Sequence, residues 1–148
     1  EKFVLNFYKR HLDESIYNVH APKIKWNLDE KIADEYLSLL PEMRTDIVIE
    51  NKDKKTQIII DTKYYAQTLV SNNWTDVEKV RTGHLYQIFA YVHNSDFSGN
   101  KKGMLLYPTI EKEIDAIFPI GGKNIEARTL NLNAEWQDIT ARLLALII

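Results

Sequence analysis

The stretch Arg44–Lys63, RTDIVIENKDKKTQIIIDTK, decides how this chain is read. Two β-branched runs, Ile47-Val48-Ile49 and Ile58-Ile59-Ile60, flank the polar tetrad Lys52-Asp53-Lys54-Lys55, the pattern of a β-hairpin. Side chains alternate faces along a strand, so Asp61 and Lys63 share the face of Ile59, while Ile58, Ile60 and Thr62 take the other. A turn centred between Asp53 and Lys54 places Asp46 directly opposite Asp61.

Two carboxylates opposed on one sheet face repel, and a stable domain keeps them through exposure to water, a shared proton or a bound cation. A divalent metal is the productive answer. Hard oxygen ligands suit Mg²⁺ or Mn²⁺, and a neighbouring Lys63 can serve an attacking water or offset phosphoryl charge. An acid two positions before a lysine also occurs at Asp29, Glu50 and Asp53, so the tripeptide alone carries nothing. Only Asp61-Thr62-Lys63 joins a strand, a facing acid and a lysine. Spacing alone leaves two readings open: a metal site for phosphodiester hydrolysis, or a hairpin face of solvated charges.

Outward from the hairpin, Phe3, Val4, Phe7, Tyr8 and Leu12 recur at helical spacing and predict an amphipathic first helix. Lys23 to Leu28 alternates as a strand; Asp29 to Leu40 is ambiguous. Asp76 is a candidate N-cap for a helix from Val77 to about His93. Gly103 to Tyr107 and Ala116 to Ile120 read as strands, Gly121-Gly122 as a turn, and a third helix is expected near Asn133. Helix, strands, helix, strands, helix implies an α/β domain with a mixed sheet flanked by helices, one domain across residues 1–148. The chain begins at Glu1 with no capping residue before the first helix, which suggests a fragment of a longer protein.

The 148 residues carry a formal charge of −2 and no cysteine, which excludes thiolate nucleophiles and disulfide scaffolds and makes any nucleic-acid affinity a matter of local basic clusters. No apolar run reaches the roughly 18 residues of a membrane span, so no membrane partner is expected, and the cytoplasm is the default compartment. His11, His20, His84 and His93 have no ligand-like spacing. Candidate phosphate contacts are Lys52, Lys54, Lys55, Lys79, Arg81, Lys101 and Lys102, with Lys79 and Arg81 expected on the second helix. Tyr64, Tyr65 and Trp74 are candidate DNA-stacking aromatics, although burial is their commoner fate.

Three segments carry a family resemblance: Met43-Arg44-Thr45-Asp46-Ile47-Val48-Ile49 with Ile59-Ile60-Asp61-Thr62-Lys63-Tyr64-Tyr65, Glu1 to Arg10, and Leu85-Tyr86-Gln87-Ile88-Phe89-Ala90-Tyr91. Together they resemble the nuclease domain of McrC, the endonuclease subunit of modification-dependent McrBC restriction systems, within the PD-(D/E)xK superfamily. The resemblance spans Glu1 to Tyr91. It implies a restriction-endonuclease-like fold and Mg²⁺-dependent (or Mn²⁺-dependent) DNA cleavage, with Asp46, Asp61 and the Thr62 carbonyl as metal ligands. It further implies that Lys63 serves the nucleophilic water, that Glu1 approaches the metal through water, and that Gln87 and Tyr91 form a Q-x-x-x-Y element on one helix face. DNA and a McrB-like AAA+ GTPase are the implied partners, with recognition of the modified base lying elsewhere. Thr45 departs from the superfamily, where a proline precedes the first acid. The competing expectation is a nuclease-fold module that no longer cuts and acts in assembly or DNA docking.

Overall fold

The computed structural model describes residues 1–63, 69–71, 78–109 and 112–148. In chain order the elements are α1 (Lys2–His11), β1 (Tyr17–His20), β2 (Lys23–Ile24), α2 (Asp34–Leu37), β3 (Met43–Arg44), β4 (Ile47–Asn51) and β5 (Thr56–Thr62). They continue as β6 (Leu69–Ser71), β7 (Glu78–Val80), α3 (Thr82–Asn94), β8 (Asn100–Pro108), β9 (Asp115–Ile120), β10 (Lys123–Leu130) and α4 (Trp136–Ala145).

Six strands form one mixed sheet in the order β1-β4-β5-β8-β10-β9. The β5·β8 and β8·β10 pairs are parallel, whereas β1·β4, β4·β5 and β9·β10 are antiparallel. A parallel pair needs a crossover, and α3 lies in the connection from β5 to β8. The central strands bury both faces. Ile47, Ile49, Ile58, Ile60, Met104 and Leu106 pack with α1 and α4 residues on one side, and Val48, Ile59, Leu105 and Tyr107 pack with Ile88, Tyr91 and Val92 of α3 on the other.

Two contacts fix the helices on this sheet. Gly103 leaves room for α3: a Cβ there would stand 2.6 Å from Ile88 Cγ1 and 2.9 Å from Val92 Cγ2. On the opposite face the fully buried Tyr8 hydroxyl donates to the Leu143 carbonyl at 2.8 Å, satisfying an acceptor in the last turn of α4.

The β4–β5 hairpin has the predicted register, with Ile47 opposite Ile60 and Val48 opposite Ile59. The expected helix from Val77 is a correction: Glu78–Val80 pairs antiparallel with Leu69–Ser71, and α3 begins only at Thr82. Valines three apart mimic helical periodicity, yet their β-branching favours a strand. Asp76, its expected cap, lies outside the described residues, as do Tyr64, Tyr65 and Trp74.

The Lys23–Leu28 strand shrinks to two residues, because Trp26 donates to the Pro41 carbonyl and the Asn27 amide to Asn94 Oδ1 instead of to a strand ladder. The ambiguous segment holds the short α2. The third helix starts at Trp136, after a turn in which Asn131 Oδ1 accepts from the Asn133 amide. Strands β1 and β10 were not foreseen. In β10 the buried Glu126 and the half-buried Arg128 occupy one face and break the apolar alternation a strand reading requires. No described helix is long and apolar enough to cross a membrane.

Candidate active site

The antiparallel register carries Asp46, one residue before β4, to the position opposite Asp61 near the end of β5. Asp46 is anchored by Thr62, whose backbone amide and hydroxyl both donate to Asp46 Oδ2, at 2.8 and 2.9 Å. One oxygen of Asp46 is thus committed to the opposing strand.

Asp61 is almost fully buried. Its Oδ2 lies 2.5 Å from the Lys63 ammonium, a buried ion pair. Burial pushes the Asp61 carboxyl above the ordinary carboxylate range. The Lys63 contact opposes that shift, and the negative charges of Asp46 and Glu1 add to it. Glu1, exposed at the N-cap of α1, is therefore within electrostatic reach of the acid pair.

Lys63 is held from α3. Its ammonium donates to Gln87 Oε1 at 2.6 Å, the Gln87 amide donates to the Tyr91 hydroxyl at 2.9 Å, and that hydroxyl donates to the Arg44 carbonyl at 3.1 Å. This chain fixes the amide orientation, because a flipped Gln87 would turn its NH₂ toward an ammonium. Residues four apart on a helix share a face, which is how Gln87 and Tyr91 reach the sheet together. Burial is the largest influence on Tyr91, raising its pKa, with the Gln87 bond opposing. Beside Thr62 and Lys63 an apolar cleft of about 210 Å³, walled by Phe3, Val4, Leu106 and Leu130, surrounds the lysine stem.

Thr45 is buried, and both its amide and its hydroxyl donate to the Pro22 carbonyl, at 3.2 and 2.5 Å. A proline there would keep neither bond, so threonine ties down the chain entering Asp46 by another route.

The structure thus gathers Asp46, Asp61, Lys63, Gln87 and Tyr91 at one sheet end, with Thr62 reaching Asp46 from the α1 side and Glu1 nearby. Among the described residues no three His, Asp or Glu side chains converge as a metal cluster. The ligand set expected from sequence has only two carboxylates, with a backbone carbonyl as third member, and is not of that kind. The positions that sequence reasoning missed are the Arg44 carbonyl, which accepts from Tyr91, and the Thr62 amide and hydroxyl, which anchor Asp46. Backbone partners leave no signature in residue type.

Other candidates are scattered. Lys52 donates to the Glu14 carbonyl, Lys101 to the Ser95 carbonyl, and Lys102 pairs with Glu126. Arg81 precedes α3 as its N-cap and does not lie on it, and Lys79 belongs to β7, which corrects their expected placement on the helix. The histidines do not meet one another: His11 stacks on Phe7, His93 on Phe89, His20 faces Glu50, and the buried His84 bonds the Tyr107 hydroxyl.

A six-stranded mixed sheet with helices on both faces and an acid pair beside a lysine at the end of its central strands is compatible with a restriction-endonuclease-like domain. The family model described as McrBC 5-methylcytosine restriction system component matches residues 1–108, a span that includes the whole acid–lysine–glutamine constellation. The chain is also 33% identical over 146 residues, 97% of its length, to the type IV methyl-directed restriction enzyme EcoKMcrBC of Escherichia coli (strain K12). It belongs to the McrBC restriction component family. The chain spans 40% of the length of that relative.

Proposed function

We propose that this chain is the catalytic domain of a McrC-like, PD-(D/E)xK endonuclease that hydrolyses DNA phosphodiesters in the cytoplasm, working with a McrB-like AAA+ GTPase. The observation that carries the reading is the buried Asp61, register-paired with Asp46 and touching a lysine that α3 orients through Gln87.

The donor set suits a hard divalent cation. Mg²⁺ is commonly held by one or two carboxylates plus substrate oxygens, and Asp61 brings a buried carboxylate that burial first, and its acidic neighbours second, hold above the ordinary range. Asp46, Asp61 and the Thr62 carbonyl would hold Mg²⁺ or Mn²⁺, which would supply Lewis-acid stabilisation of the phosphoryl charge. The remaining work falls to the chain itself. Thr62 keeps Asp46 in place. Lys63, positioned by Gln87 and Tyr91, presents its ammonium beside the acid pair, where it orients a water and offsets charge developing on a phosphate oxygen. Glu1, exposed and within the same field, acts through intervening water.

Cleavage of methylated duplex DNA by the full-length protein with its GTPase partner tests the proposal. Asp61→Asn and Lys63→Met should each abolish cutting while the protein stays folded, and Mg²⁺ or Mn²⁺ should raise the melting temperature of the wild type but not of Asp61→Asn. Undiminished cutting by Asp61→Asn overturns the assignment.

A further inference from the structure

The starts of β5, β8 and β10 frame an open cleft of about 430 Å³ at the end of the sheet opposite Asp61. Parallel register places Gln57 beside Lys101, and Lys102 beside both Ile58 and Asn124. Lys54 from the hairpin tip and Lys123 from β10 complete a wall with four lysines and no aspartate or glutamate. Lys102 is matched by Glu126 at 3.2 Å. Lys101 donates to the Ser95 carbonyl; burial and the neighbouring Lys123 charge lower its pKa, with Asp96 acting in the other direction. Lys54 and Lys123 form no ion pair among the described residues.

The cleft is rigidly built. The Asn100 amide donates to the Lys55 carbonyl at 3.0 Å, and a Cβ on Gly99 would fall 2.0 Å from that same oxygen. Only glycine at this position lets β8 clamp the hairpin tip, where Lys55 itself turns through a left-handed φ of 52°. The hairpin backbone next to Lys54 is thereby held against the start of β8.

Lys54 and Lys123 have no acid partner among the described residues, and the charges of Lys101 and Lys123 oppose each other, a repulsion that an anion removes. Protein-binding surfaces are depleted of lysine and built around aromatic anchors, and this cleft has no aromatic wall. Lysine ammonium groups beside Asn amides, here Asn100 and Asn124, are side chains of the kind that contact phosphate oxygens, whereas Gln57 is already bonded to Glu50 and Ser95. From Gln57 to Asp61 is four residues of β5, roughly 13 Å at ~3.3 Å per residue, too far for both ends to hold one phosphate.

We infer that this lysine cleft is a second nucleic-acid contact, binding backbone phosphates remote from the bond that is cut. The inference rests on the DNA-binding part of the proposed function but not on its catalytic part.

The test is the salt dependence of binding of a fluorescent 20-base-pair duplex to the intact full-length protein, measured in EDTA so that cleavage plays no role. Each phosphate contact contributes about 0.9 to the slope of log K against log salt, so Lys54→Gln/Lys123→Gln should flatten that slope by about 1.8. Lys9→Gln, an exposed change on α1, should leave it nearly unaltered, and circular dichroism should show all variants folded. An unchanged slope in the double variant, an equal loss in Lys9→Gln, or no duplex binding by the wild type overturns the inference. Polyglutamate binding that falls equally in the double variant would assign the cleft to an acidic protein segment and reject the nucleic-acid reading. Cleavage by Asp61→Asn, assayed separately, reports on the catalytic proposal alone.

Discussion

Replacing Gln87 by leucine removes both polar ends of the side chain that joins Lys63 to Tyr91 while nearly conserving its volume. Two hydrogen bonds are lost: the charge-assisted one from Lys63 at 2.6 Å and the neutral one to Tyr91 at 2.9 Å. A bond to a charged group contributes about 1.5–3 kcal/mol and a neutral one about 0.5–1.5 kcal/mol. The Lys63 side chain is only 10% exposed, so water replaces the lost acceptor poorly, although Asp61 still offsets the charge. The expected loss is therefore about 2–4 kcal/mol. At about 2.1 cal/mol/K of unfolding entropy per residue, a chain of 148 residues has about 0.3 kcal/mol/K, which converts the loss to a fall of roughly 6–13 °C in Tm. Calorimetry of the wild type and Gln87→Leu measures it. Single-turnover cleavage in the full assembly should fall more than substrate binding, because the lysine is mispositioned without removal of a DNA contact. Gln87→Glu still accepts from Lys63 but cannot donate to Tyr91, so it should lie between the two. If Gln87→Leu keeps both its Tm and its cleavage rate, the Lys63–Gln87–Tyr91–Arg44 chain does not hold the lysine and the positioning argument fails.

Further expectations come from burial and close contact. The folded Asp61 carboxyl titrates above its unfolded value, so the folded state holds a proton that the unfolded chain has already released. Stability from this group is present at low pH and is lost as pH rises through the folded pKa. Asp61→Asn should accordingly melt higher than the wild type near pH 7 without added metal, the gap narrowing as pH falls toward 4 in thermal melts, and no pH-dependent gap would contradict the burial argument. Gly103→Ala should cost about 1–3 kcal/mol in a denaturant titration, because its methyl would push Ile88 and Val92 outward; cleavage should drop as well, since Gln87 and Tyr91 ride on the same helix. Tyr8→Phe should cost about 1–3 kcal/mol by leaving the Leu143 carbonyl without its donor, with cleavage by the remaining folded protein unchanged.

The β4–β5 hairpin was legible because its information is local. Two β-branched runs and a polar turn fix the register, and the register alone sets Asp46 opposite Asp61 and Lys63 on the face of Ile59. The first helix was equally plain from its period. Elements whose stability comes from elsewhere were not. β10 buries Glu126 on the strength of ion pairs with Lys102 and Arg128, partners that no alternation rule can supply. The Val77 helix start failed because Val80 lies in a strand paired with Leu69, a partner outside the segment whose period suggested a helix.

The candidate site divides the same way. By itself the sequence determined that two acids and a lysine share one strand-end face, since strand alternation is a property of the backbone, and similarity of residues 1–91 to McrC nucleases gave those residues their expected roles. Only the tertiary structure decided what each touches. Packing of α3 over Gly103 puts Gln87 against Lys63, the Arg44 carbonyl terminates the chain through Tyr91, and Thr62 holds Asp46. The lysine cleft at the far end is tertiary in the same sense, because Lys54, Lys101 and Lys123 meet only when the hairpin tip, β8 and β10 are brought side by side.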